Sequence, residues 1–274
     1  MKISTFLVQL DIAAKAGETE DFEKTLAYLH SKGLDMMDLY TGLTSAHDPK
    51  ELSGQLKRSG IGISSMYHLF EFSYDRENIL NLMKEDSKKR LELCAFMGSD
   101  IFMPVPAITK PYESANGRSE CAKIVSEYIG DICFLAKQYN ITVVIENFSD
   151  NKCPFATFSD IDRLLYDNPD LYFVLDSGNF WFNGIDACEA IERYGDKIRH
   201  VHFKDITPSD SGSICINGKT CDSNDIGSGV IDFAKIIKML REKGYDDSVS
   251  IEINTTDNLI KKTELSLEFL KKLV

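Results

Sequence analysis

Short apolar or β-branched runs alternate along this chain with longer segments whose apolar residues recur every three to four positions. The strand-like runs fall at 3–8, 34–39, 61–66, 100–105, 141–146, 171–176, 198–203 and 248–253. Between them lie helix-period segments at about 19–32, 49–59, 75–97, 113–140, 158–168, 186–196, 231–244 and 258–273. Strict alternation of strand and helix predicts parallel strands joined by right-handed crossovers. Runs such as Val143-Val144-Ile145 and Phe173-Val174-Leu175 are apolar without alternation, as expected of strands buried on both faces. Eight such units in 274 residues predict a (β/α)8 TIM barrel, a single domain over 1–274. An open doubly wound sheet is the competing topology, and the lack of a glycine-rich dinucleotide fingerprint counts against it.

Local punctuation agrees with these elements. Gly33, Gly60, Gly98 and Gly244 follow helical segments, where a left-handed residue ends a helix well. Asn140 is expected to end the fourth helix, and Ser159-Asp160 to cap the fifth. No linker or low-complexity tract suggests a second domain. The longest irregular segment, 206–230, is rich in Ser, Asp and Gly and contains Asn217-Gly218, a hairpin-turn signal. Its length and its position after the seventh strand predict a loop that covers or borders an active site.

Composition narrows the partners. The formal net charge is −12, and no dense Lys/Arg run offers the basic face that nucleic acid demands. No segment reaches the ~18 apolar residues of a membrane span, and Met1 to Phe6 lack the apolar core of a signal peptide. The chain is expected to be soluble and cytoplasmic, with a small-molecule sugar or polyol as ligand and homo-oligomerisation left open. The seven cysteines form no CxxC pair, which disfavours a disulfide framework or a zinc cluster. They read as buried small hydrophobes; Cys215 and Cys221 share a loop and are close enough in sequence to pair, which a reducing compartment disfavours.

In such a barrel the chemistry sits at the C-terminal strand ends. The fifth strand ends Ile145-Glu146-Asn147 and the sixth Leu175-Asp176-Ser177-Gly178-Asn179. The seventh reads His200-Val201-His202-Phe203-Lys204-Asp205, and the eighth Ser250-Ile251-Glu252-Ile253-Asn254. Converging carboxylates repel one another unless a cation joins them. Glu146, Asp176, His202 and Glu252 therefore form a natural ligand set for one hard divalent ion, Mn²⁺ foremost, with Mg²⁺, Co²⁺ or Zn²⁺ as further candidates. Period-2 geometry puts His200 one layer below His202, where a hydrogen-bonded core histidine is expected, and Lys204 one layer above, within reach of substrate. His68 follows the third strand and is a candidate substrate contact at the rim. Phe180 and Trp181 either pack under the sixth helix or wall the mouth. His30 and His47 are expected to be solvated or satisfied locally.

These motifs, together with Gly227-Ser228-Gly229-Val230-Ile231-Asp232-Phe233, resemble the xylose-isomerase-like TIM-barrel superfamily, in particular its sugar phosphate isomerase/epimerase group. The resemblance implies one divalent metal on Glu146, Asp176, His202 and Glu252, with Glu146 and Glu252 as the catalytic acid/base pair. Asn179 stands where many such epimerases have a His, and is expected to bind substrate by hydrogen bonds. Pro208 stands where they have an Arg. The expected function is a metal-dependent isomerase or epimerase acting through an ene-diolate. A lyase of the inosose-dehydratase type and a non-catalytic sugar-binding barrel are the alternatives. AP endonucleases of this fold use several more His ligands for three metals and bind DNA, which the five histidines and the net charge of −12 disfavour.

Overall fold

A computed structural model describes residues 1–42, 47–72, 76–108, 115–150, 153–214, 218 and 220–274. Eight parallel strands close into a barrel: β1 (Lys2–Phe6), β2 (Met36–Tyr40), β3 (Gly62–Phe72), β4 (Ile101–Ile108), β5 (Thr142–Glu146), β6 (Tyr172–Asp176), β7 (Ile198–Phe203) and β10 (Ser248–Ile251), with β1 paired to β10. An antiparallel hairpin, β8 (Asp205–Ile214) and β9 (Thr220–Asn224), is inserted after β7. The helices are α1 (Leu7–Lys15), α2 (Phe22–Lys32), α3 (Pro49–Arg58), α4 (Arg76–Met97), α5 (Ala115–Ala136), α6 (Phe158–Asp167), α7 (Ser177–Phe182), α8 (Ala187–Tyr194), α9 (Phe233–Glu242) and α10 (Leu259–Leu270).

Strict alternation misses α1 and α7. The apolar run at 3–8 fits a single strand by pattern, but a short apolar run does not distinguish strand from buried helix. The strand stops at Phe6, and Leu7 opens a helix that buries Leu7, Leu10 and Ala13. Helix α7 starts directly after Asp176, whose side chain caps it by accepting from Asn179 N at 2.7 Å. The cap of α6 lies two residues before its expected position: Thr157 and Asp160 form a reciprocal capping box. Asn140 (φ 55°) and the four expected glycines do take left-handed conformations at helix ends.

Strand β3 runs six residues past its expected end. Its extension pairs with β4 as far as Phe72↔Ile108. Among the described residues, the pairing of β4 with β5 comprises Ile101↔Thr142 and Phe102↔Val143 and does not reach the C-terminal half of β4. Pro104 and Pro106 lie there, where a missing N–H costs no ladder bond.

Odd and even positions divide the core. Val143, Ile145, Phe173, Leu175, Val201, Phe203, Val249 and Ile251 face the helices in one large apolar cluster. The barrel interior is split. Phe6, Tyr67, Ile101, Met103, Val144 and Val174 form an apolar half. The other half is polar: Ser4, Asp38, Ser64, Ser65, His200 and Ser250, all buried. Of the cysteines, Cys94, Cys133 and Cys153 are buried, and burial pushes each thiol up to about 12. Cys215, and with it the Cys215–Cys221 pairing, lies outside the described residues, as does Asn217 of the turn signal. None of the helices, among the described residues, is long and apolar enough to cross a membrane.

Candidate active site

Strands β5, β6 and β7 and the residue after β10 bring Glu146, Asp176, His202 and Glu252 to the C-terminal rim. One ligand atom from each lies within 4.8 Å of the others. The alternation that buries Ile145, Leu175, Val201 and Ile251 outward turns these four inward. His202 Nδ1 contacts a Glu146 oxygen closely and lies 3.8 Å from Glu252 Oε2. Its Nε2 is buried and has no hydrogen-bond partner.

Lys204 and Asn179 join the cluster. The Lys204 ammonium is 3.0 Å from Asp176 Oδ2, 2.9 Å from Glu252 Oε1 and 2.9 Å from Asn179 Oδ1. Asn179 donates to Asn147 O at 2.9 Å, and Asn147 brackets Asp176 by donating to its carbonyl and accepting from its N–H. Three neighbouring strands are thus tied together beneath the rim.

Electrostatics follow from burial and from this crowding. Burial, together with Glu252 and Glu146, holds the Asp176 carboxyl above its ordinary range, and Lys204 offsets only part of the shift. Burial also raises Glu252, but Lys204 and His202 outweigh it and hold this carboxyl low. Burial pulls the His202 imidazole down; Glu146, Asp38 and Glu252 outweigh it and carry it up to about 9. A bound ion would displace the proton of His202; with that ring neutral, Lys204 charged and all three carboxylates ionised, an excess of two negative charges would match one divalent ion. Oxygen-rich donors with one imidazole suit a hard or borderline ion.

The structure does not bring His68 to this cluster. It lies within β3, on the face opposite the inward Tyr67, because the strand continues where a loop was expected. Its Nδ1 is 2.8 Å from Thr41 Oγ1, its Nε2 is 3.4 Å from Asp86 Oδ2, and it stacks on Tyr40 at 5.4 Å. Burial, then Arg90, lowers its pKa to about 4, so the ring is neutral at physiological pH. Phe180 packs behind β6 against Phe158 and Phe173. His30 and His47 are satisfied locally, at 2.8 Å from Leu34 O and 2.7 Å from Asp11 Oδ1.

The segment at 206–230 is a hairpin rather than an irregular loop over much of its length. Ile206 and Cys221 pack against Trp181, Phe182 and Ile231, and Ser223 accepts from Asn254 N at 3.2 Å. It therefore stands on the C-terminal side, beside α7 and the loop after β10. Its stem is held by Asp205, a residue without an assigned role in the strand-end motif. The buried carboxylate accepts from the N–H groups of Ile206 (2.9 Å), Gly227 (2.8 Å), Gly229 (2.8 Å) and Ile231 (3.3 Å).

A family model described as a xylose isomerase-like TIM barrel matches residues 26–273. The chain belongs to the xylose isomerase-like TIM-barrel family. Among curated relatives of this family member, an inosose dehydratase of Clostridium perfringens is 26% identical over 155 residues, 53% of this chain and 52% of that protein. The chain thus spans about half the length of the curated relatives it matches. Among solved structures, the IOLI protein with a binding zinc atom superposes with a TM-score of 0.75 at 20% identity, covering 100% of this chain and 99% of that one. A D-psicose 3-epimerase with D-tagatose, from Clostridium cellulolyticum H10, gives 0.70 at 13% identity, with 100% and 99% covered. At these identities the two superpositions establish the shared barrel.

Proposed function

We propose that the chain is a divalent-metal-dependent isomerase or epimerase of a small sugar or sugar derivative. The observation that carries this reading is the convergence of Glu146, Asp176, His202 and Glu252 within 4.8 Å at the C-terminal rim. These four would hold one ion, Mn²⁺ foremost, which when bound would act as a Lewis acid toward adjacent hydroxyl and carbonyl oxygens. Glu146 and Glu252 are separated around the ring by β6 and β7, so a substrate between them meets a carboxylate on each side. One Glu takes the proton from the carbon next to the carbonyl, giving an ene-diolate. Its return by the other Glu to the opposite face inverts that carbon; return to the neighbouring carbon isomerises the sugar. Lys204 and Asn179 would hydrogen-bond the substrate oxygens, with the ammonium favouring the one that gains charge.

A second reading is a lyase, in which the same ene-diolate expels a β-hydroxyl as water. It is favoured by the inosose dehydratases among the relatives and by Asn179 and Pro208, which replace the His and Arg of many epimerases. The test is incubation of Mn²⁺-loaded protein with ketoses, aldoses and inososes in deuterium oxide. Deuterium at carbon together with a new diastereomer or isomer supports the leading reading, whereas loss of water supports the lyase. Binding without any exchange would refute both and leave a sugar-binding barrel.

A further inference from the structure

The interiors of such barrels are usually filled by bulky branched side chains. Here half of one layer, directly beneath the candidate metal ligands, is a buried polar ring centred on Asp38. Its Oδ2 accepts from Ser4 (2.7 Å), from Ser64 (2.9 Å) and, more closely, from Ser250. Its Oδ1 accepts from Ser65, closely, and is paired with His200 Nε2 at 2.7 Å. Asp38 and His200 are both fully buried. Burying a charge at the centre of a barrel costs several kcal/mol unless every lone pair is used. Five donors from β1, β3, β7 and β10 surround this one carboxylate, a heavily built site that the chemistry proposed above does not itself employ.

The ring has one neighbour that chemistry would use. His202 sits immediately above His200, edge to face, with ring centroids 4.9 Å apart and planes at 87°. Phe6 also meets the His202 ring edge to face, at 4.9 Å and 69°. Ligand atoms of Asp38, His200 and His202 approach within 4.8 Å of one another, and the unpartnered Nε2 of His202 is buried. A metal-bound histidine needs its ring turned correctly and its second nitrogen protonated, a state that a nearby anion favours.

We propose that Asp38 and His200 are positioning residues for His202. The Asp38 carboxylate fixes the His200 ring, and that ring fixes the plane of His202. Nδ1 of His202 is thereby kept facing Glu146 and Glu252. The inference rests on the metal-site reading above for its use, but the orientation of His202 is measurable without metal.

The test compares wild type with Asp38→Asn, with His200→Gln, which keeps a donor toward Asp38 but loses the ring, and with Ile101→Ala, a cavity in the apolar half of the interior. Zinc affinity by competition titration should fall about 10- to 100-fold in the first two, the range for lost outer-shell partners. Ile101→Ala should lower thermal stability yet leave zinc affinity unchanged. In metal-free protein, ¹⁵N–¹H spectra of the His202 ring should show one ordered set of signals in wild type, and a broadened or split set in Asp38→Asn and His200→Gln. Should Asp38→Asn fail to fold, His200→Gln decides alone. Unchanged zinc affinity and an unchanged imidazole signal would overturn the proposal. Loss of the ordered signal in a protein whose wild type binds no zinc would remove the metal reading and leave the positioning role standing.

Discussion

Replacing Asp205 by Ala tests how the hairpin beside the site is held. The carboxylate accepts from four backbone N–H groups, of Ile206, Gly227, Gly229 and Ile231. Ile206 lies at the start of β8, and Gly227, Gly229 and Ile231 lie in the segment between β9 and α9, so one side chain closes the stem. A hydrogen bond to a charged group is worth about 1.5–3 kcal/mol, and a buried donor left unpaired costs about 1–3. The four are not additive, because water reaches a loosened stem and replaces part of what is lost. A loss of about 3–5 kcal/mol follows, near the upper end of single substitutions. Gly229 offers a check from the other partner: an added Cβ would lie 2.3 Å from Asp205 Oδ1 and 2.4 Å from Ile206 O. Gly229→Ala should therefore open the same stem. The assay is urea unfolding combined with amide hydrogen exchange by fragment. Both variants should lose protection first in 205–231, while β5 and β6 keep theirs until global unfolding. A loss for Asp205→Ala below about 1 kcal/mol, within the range of ordinary surface changes, with unchanged exchange in that fragment, would refute the account of the stem.

Further outcomes follow from other parts of the molecule. Glu146→Gln and Glu252→Gln should each keep substantial Mn²⁺ by elemental analysis while C–H exchange falls ~10²–10⁴-fold; near-normal exchange in a loaded variant removes that residue from proton transfer. Lys204→Met leaves Asp176 and Glu252 without their shared cation, so metal-free protein should lose about 3–5 kcal/mol, and saturating Mn²⁺ should recover part of it in thermal melts. Glu264 ties α10 to α2 through Lys32 and Tyr28, and hydrogen bonds from Lys32, Lys261 and Tyr28 hold its carboxyl down at about 2 from an ordinary 4.5. A depressed carboxyl stabilises the fold above its unfolded pKa and loses that contribution as pH falls through the folded one. The stability gap between wild type and Glu264→Gln should thus be full above pH 4.5 and close as pH approaches 2; a gap independent of pH would contradict this.

Much of the barrel is legible in the sequence because its outward strand positions are continuously apolar and its helices carry regular periodicity. Strand β7 occupies the expected positions, 198–203, and the ends of α2, α3 and α4 lie within a few residues of expectation. The rim cluster is legible for a related reason. A polar residue at the end of an apolar strand stands out, and four in sequence order point to one place. His68 misleads because its role depends on where β3 ends, and pairing with β4, a non-local interaction, carries the strand past it. Asp38 escapes notice because its partners, Ser4, Ser64, Ser65, His200 and Ser250, are spread over four other strands. The available signal was small polar residues at inward positions of strands otherwise apolar. Helices α1 and α7 are short, and each follows a strand without a turn residue between them; no side-chain cap marks α1, and the cap of α7, Asp176, is itself the last residue of a strand.

Anomalous diffraction from a Mn²⁺-soaked crystal decides whether Glu146, Asp176, His202 and Glu252 share one cation. A single strong peak is expected at the C-terminal mouth of the barrel, about 2.0–2.3 Å from one oxygen or nitrogen of each of the four side chains. A metal-saturated crystal with no peak there, or with two or more of these side chains turned away from a common centre, would contradict it.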